Sequence, residues 1–187
     1  MSVKKRKNRA YFLLVFVFIV TLGAVILIVQ FETGYMISEL TLKQADTANR
    51  SFVNYLGELE ERALQWSDVI VNDVNIVNSL KNGKYDALKN DLTGLAPGVD
   101  YVSIYDPDGA MVFRTDGGLS GIGGISAHTN ISVVLQTGFA AGAVSVDPVT
   151  GFLSVSSSTP VYDGDALIFI VNCGFDLSKN DYVDTFK

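Results

Sequence analysis

One cysteine and one histidine in 187 residues remove several chemistries at once. A lone Cys173 forms no internal disulfide. Cys173 and His128 fall short of a zinc ligand set unless several carboxylates join them. A Ser-His-Asp triad has only His128 to run through, and no GxSxG elbow is present. No phosphate-cradling GxxxxGKS/T loop occurs, and the glycines 121, 123 and 124 follow no convincing strand and open no helix. The expectation is no catalysis, no metal and no cofactor. Basic residues are also scarce beyond the first ten positions. Lys4, Lys5, Arg6, Lys7 and Arg9 stand together without an acid, and the remainder holds 9 basic against 20 acidic residues. An acidic body leaves no basic face for phosphates, which argues against nucleic acid as a partner.

What the chain does have is one uncharged apolar run. Residues 10–31 contain no Asp, Glu, Lys or Arg and are rich in Phe, Leu, Ile and Val. As a helix they extend about 33 Å, enough for a bilayer core of ~30 Å. The run exceeds the ~7–15 residues of a signal-peptide core, and Ile28-Val29-Gln30-Phe31 offers no small-x-small cleavage site. The reading is an uncleaved membrane anchor. The basic residues 1–9 then stay cytoplasmic and the body lies outside.

A helical beat follows. Ile37, Ala45, Ala48, Phe52, Leu56, Leu59, Ala63, Trp66, Ile70, Val74 and Val77 fall at steps of three and four, with one beat missing at Thr41, and Glu39, Lys43, Asp46, Arg50, Glu58 and Asp68 lie opposite. One amphipathic helix over 32–83 is expected, stopped at Gly83. Its apolar stripe reads as a core face plus a homodimer seam. A second short helix is expected over 85–92, closed by Gly94 and Pro97.

From Asp100 the period changes to two. Residues 101–105 alternate as a strand, Asp106-Pro107-Asp108-Gly109 is a strong turn, and 110–114 return. Residues 117–124 read as a loop. Asn130 is placed to cap a short helix over 131–137. Strands are expected at 143–146, 152–161 and 166–175. The fold class is α+β: a membrane helix continuing into a long helix, packed on an antiparallel sheet of about five strands within 84–187.

Here the chain resembles a known family. The membrane helix, the long helix, Val102-Ser103-Ile104-Tyr105-Asp106-Pro107-Asp108-Gly109, Val112-Phe113-Arg114-Thr115, Thr159-Pro160-Val161-Tyr162-Asp163 and Gly174-Phe175-Asp176-Leu177 resemble the Cache domains. These are PAS-like extracytoplasmic sensors of bacterial chemotaxis receptors and sensor histidine kinases. The resemblance implies a homodimeric small-molecule receptor in the bacterial inner membrane, binding a carboxylate or an amino acid on one face of its sheet. It also implies that binding shifts the long helix. Some relatives keep an Arg after the turn for an anion, and Arg114 matches it. Some place a His soon after, where this chain has Thr115 and Asp116. No second run of ~20 apolar residues and no methylation helix follow. The chain therefore reads as a receptor fragment, a truncated product or a stand-alone anchored sensor. The alternative is a non-sensing envelope or adaptor protein.

Candidate ligand residues follow from the strand pattern. Tyr101, Ser103 and Tyr105 share one face of their strand, with Val102 and Ile104 on the other. Ser154 and Ser156 share a face of a later strand. Asn172 is a polar residue in an apolar run and needs a partner. Arg114 is the only Lys or Arg between Lys89 and Lys179. Its fork suits a ligand carboxylate, or equally a structural bridge to Asp116 or Asp106. His128 reads as a loop residue and Cys173 as a small core residue.

Overall fold

The structure, a computed structural model, describes residues 3–116 and 129–179, with side chains for 12, 14–84, 88–116 and 129–179. The chain divides into two units, Met1–Ser51 and Phe52–Lys187. The first is helical throughout its described length and belongs to α1 (Val3–Val71). Its large apolar side chains are exposed, from Phe12 through Phe31. The segment is long and apolar enough to cross a membrane. Beyond it the helix surface carries i,i+4 pairs, Glu39–Lys43 at 2.7 Å and Asp46–Arg50 at 3.0 Å. Such exposed pairs add only ~0.3–0.5 kcal/mol each.

In the second unit α1 runs to Val71, not to Gly83. Asn72 donates from Nδ2 to the Asp68 carbonyl at 2.7 Å, at the point where the helix ends. Asp73 adopts an extended backbone and accepts from the Asn75 and Ile76 N–H groups at 2.8 and 3.1 Å. That is an N-cap, so a new helix starts: α2 (Val74–Lys81). The apolar stripe loses its register at this break, and Val74 is 70% exposed. Gly83 does stop a helix. It sits at φ 65° and donates to Leu80, while Lys84 donates to Ser79, the double bond of a Schellman end. The next helix, α3 (Tyr85–Leu95), runs through Gly94 and buries Leu88 and Leu92.

Five strands follow: β1 (Tyr101–Tyr105), β2 (Met111–Arg114), β3 (Ala141–Val146), β4 (Leu153–Asp163) and β5 (Ala166–Asp176). Between β2 and β3 lies α4 (Thr129–Thr137). The sheet order is β2-β1-β5-β4-β3, antiparallel at every pairing. The last strand thus returns to the centre, beside the first. The loop expected over 117–124 and His128 lie outside the described residues.

The two faces of the sheet differ. One packs on α1, α2 and α3, where Leu59, Ala63, Ile70, Leu80, Leu88 and Leu92 meet Val102, Ile104, Val155, Val171, Cys173 and Phe175. Two side-chain bonds tie α1 to β4 on that face. Ser157 donates to the Glu60 carbonyl at 2.8 Å, and the Ser67 and Thr159 hydroxyls are 2.7 Å apart. The other face lies under α4, where Tyr105, Met111 and Ile170 pack with Ile131 and Val134 in a smaller core.

A buried polar row under helix α4

The pleat sends every second side chain of each strand to the α4 side. Register then aligns them across the sheet. Arg114 pairs with Ser103, Ser103 with Asn172, Asn172 with Ser158, and Ser158 with Ala141. One line of residues therefore crosses all five strands, and four of the five are polar. A neighbouring line holds Tyr101, Gly174, Ser156 and Ala143. Arg114, Ser103, Asn172, Ser158, Tyr101, Ser156 and Ser154 are all buried. The sequence candidates Tyr101, Ser103, Tyr105, Arg114, Ser154, Ser156 and Asn172 thus lie on one sheet face, with Tyr105 buried in the small core.

Asn130 joins them from α4. It was expected to cap that helix, but the helix begins one residue earlier and Asn130 is buried. Its Nδ2 donates to Ser156 Oγ at 2.9 Å and to Asn172 Oδ1 at 3.0 Å. Ser158 Oγ donates to the same Asn172 oxygen at 3.0 Å. The Asn172 acceptor is therefore doubly used. Among the described residues its Nδ2 has no hydrogen-bond partner, and neither has the Ser103 hydroxyl beside it in the row. A buried polar atom without a partner costs about 1–3 kcal/mol, and two such atoms adjacent in the row make it the candidate site.

Arg114 is fully occupied. Its side chain is buried, and Nε and Nη2 grip both oxygens of Asp116 at 2.7 and 2.9 Å. Nη1 and Nη2 approach the two oxygens of Asp147 at 3.0 and 2.8 Å. The guanidinium lies over the Tyr101 ring, 3.9 Å from its centroid. Burial works to lower the Arg114 pKa, but the bonds to Asp116 and Asp147 outweigh it and hold it above its ordinary value. Burial likewise works to raise Asp147, and the Arg114 bond and the Val149 N–H together hold it below the usual carboxylate range. Burial pushes the Tyr101 phenol up, against the Ser154 hydrogen bond at 3.3 Å. Gly174 is required beneath that ring, because a Cβ there would stand 2.3 Å from the Tyr101 hydroxyl and ring.

Sequence reasoning missed three members. Asp147 comes from the β3–β4 turn, 33 residues from Arg114, and no local pattern links the two. Ser158 was within reach of the same alternation that named Ser154 and Ser156. Asn130 keeps a local role, its Oδ1 accepting from the Ile131 N–H at 3.1 Å, but its Nδ2 reaches two strands, which no pattern within the helix indicates. Two clefts elsewhere bring no comparable set. One of about 300 Å³ lies between α3 and the ends of β1 and β2; Tyr101 of the polar row also lines it, and its Thr115 and Asp116 are bound to Val102 and Arg114. Another of about 370 Å³ lies between α1 and β3, lined by Gly57, Leu64, Ala141 and Gly142 with Glu60 and Glu61. Among the described residues no group of three or more His, Cys, Asp or Glu is placed to hold a metal ion.

No protein-family model and no curated protein matches the chain. Solved structures do. The DcuS sensor domain of Escherichia coli superposes with a TM-score of 0.55 at 16% identity, over 69% of this chain and 97% of that one. The sensor domain of the Vibrio cholerae histidine kinase DctB gives 0.55 at 11% identity, over 75% of this chain and 57% of that one. A domain of a sensory box/GGDEF family protein from Vibrio parahaemolyticus gives 0.52 at 13%, over 72% and 60%. The chain therefore shares its fold, an α+β arrangement of long helix and five-stranded antiparallel sheet, with these domains. This chain spans nearly all of the first of these domains and less than two thirds of the other two. At such identities the likeness carries the architecture, and the ligand has to be argued from the residues.

Proposed function

We propose that this chain is a membrane-anchored, extracytoplasmic small-molecule sensing domain without catalytic activity, whose ligand site is the polar row under α4. The observation that carries the proposal is the adjacent pair of buried, unpartnered atoms, Ser103 Oγ and Asn172 Nδ2. Ser103, Asn172, Tyr101, Tyr105, Ser154 and Ser156 are the proposed ligand residues, with Asn130 and Ser158 aligning Asn172. Arg114 belongs to the site as well, fixed at its rim by Asp116 and Asp147. The anchor is residues 10–31, with the basic N-terminus cytoplasmic and the body outside a bacterial inner membrane.

In this reading the domain is the sensor part of a chemotaxis receptor or of a sensor histidine kinase, acting as a homodimer through its long helix. The superposition on sensor domains, one of them from a histidine kinase, supports the general class. Signal output follows from linked equilibria. A ligand that fits one arrangement of α1 against the sheet better than another shifts the population by that difference in affinity and no more. A thermal-shift screen of the full chain in detergent against small metabolites tests the reading. Ligand at a hundred times its dissociation constant adds about 2.7 kcal/mol of stability. A hit abolished by Asn172→Leu supports the site. A folded protein that no metabolite stabilises favours the non-sensing anchored protein instead.

A further inference from the structure

The charge on the polar face departs from what an anion receptor needs. Arg114 is the only Lys or Arg between Lys89 and Lys179, a span that includes every strand and α4. It is therefore the one permanent cation that the sheet and α4 supply. Two carboxylates hold it, Asp116 in a two-pronged grip and Asp147 through both of its oxygens. One positive and two negative charges leave the cluster net negative by one. Residues 117–128, between β2 and α4, contain no Lys, Arg, Asp or Glu, so their sequence does not change that sum. An incoming carboxylate would meet this charge at short range and would have to displace an aspartate from a buried pair to reach the guanidinium.

The two unpartnered atoms have a definite polarity. Asn172 Nδ2 is a donor only. Ser103 Oγ, its cross-strand neighbour, donates or accepts. A donor beside a hydroxyl matches a group whose carbonyl oxygen accepts from Asn172 while its N–H or O–H meets Ser103. Building on the sensing function proposed above, we infer that the site takes an uncharged small solute bearing a primary carboxamide or a comparable carbonyl-plus-donor group, and turns carboxylates away. This departs from the carboxylate or amino-acid ligand that the Cache resemblance implies.

The test uses matched probes on the full chain in detergent: acetamide and succinamide against acetate and succinate, at constant ionic strength, read by melting temperature and by isothermal titration. Three variants accompany the wild type. Asn172→Asp keeps an acceptor for Asn130 and Ser158 but removes the free donor. Ser103→Ala removes the hydroxyl. Asp116→Asn cancels the excess negative charge while Asp147 still holds Arg114. Unliganded melting curves show which variants remain folded. The expected result is that the amides bind wild type and lose about tenfold in affinity in Asn172→Asp, the loss of one good hydrogen bond. The acids bind only after Asp116→Asn. Succinate or acetate binding to wild type and lost in Asn172→Asp overturns the ligand class but leaves the site standing. Amide binding unchanged in both Asn172→Asp and Ser103→Ala places the ligand elsewhere and overturns the inference. Absence of binding by all four probes to wild type and to Asp116→Asn overturns the sensing site together with it.

Discussion

The sheet has two faces made by the same five strands, and they solve opposite problems. Toward α1, α2 and α3 the strands present Val102, Ile104, Val155, Val171, Cys173 and Phe175, and the contact is almost wholly apolar. Fully burying such a side chain contributes about 1.5–3 kcal/mol, so this face holds the helices on. Toward α4 the strands present Arg114, Ser103, Asn172, Ser158, Ser156 and Ser154, equally buried. Burying those groups is unfavourable unless each is paired, and two atoms are not. A strand alternating between the two faces thus carries apolar adhesion and buried polar groups on successive residues. In the proposed reading, a ligand bound on one face is one residue away from the helix packing on the other.

Substitutions should separate the faces by size and by sign. The largest effect is expected at Arg114, where Ala leaves Asp147 and Asp116 without their cation. Breaking a buried ion pair from one side costs about 3–5 kcal/mol, measurable by denaturant titration. The pH dependence should weaken with it. In the wild type the lowered Asp147 pKa contributes stability above the unfolded value of about 3.9, which is lost as pH falls through the folded value. In Arg114→Ala the Val149 and Thr150 N–H groups alone oppose burial at Asp147, so its pKa rises from the wild-type position and the stability it contributes above the unfolded value shrinks. Denaturation midpoints near pH 3 and near pH 6 distinguish the two slopes. An unchanged slope would mean that Asp147 is not held by Arg114.

Next comes the adhesive face. Leu59→Ala, at a buried position of α1, should cost about 2–5 kcal/mol in the same assay. Ser67→Ala removes the hydroxyl 2.7 Å from Thr159 and should cost about 1 kcal/mol. The smallest effect carries the opposite sign. Ser103→Ala removes a buried hydroxyl that has no partner, so it should raise stability, by ~1 kcal/mol or less. A clear loss at Ser103 would mean that the two faces differ less than their chemistry implies.

The division between faces was legible in the sequence because period-two alternation is a geometric consequence of the pleat. Tyr101, Ser103 and Tyr105 separate from Val102 and Ile104 by that rule alone. The α+β order and the Gly83 stop were legible for similar local reasons. The break at Asn72-Asp73 was not read, because apolar steps of three and four continue across it and only the Asp73 cap interrupts them. Partners contributed by distant elements were beyond reach. Asp147 meets Arg114, and Asn130 meets Asn172, only once β3 and α4 are laid beside the central strands. A sequence pattern states which face a residue occupies; it does not state what another segment brings to that face.

Cys173 sits on the adhesive face of the central strand, opposite Val102 on one side and Ser157 on the other. It is buried, and burial pushes its thiol pKa up, so in the closed protein it is chemically silent. It is also the chain's single thiol. The protein therefore carries an internal clock for its own opening: alkylation can proceed only during intervals when the helices have parted from the sheet. The rate at which that label accumulates, with and without an added solute, reads how often the helix face opens, without any engineered probe.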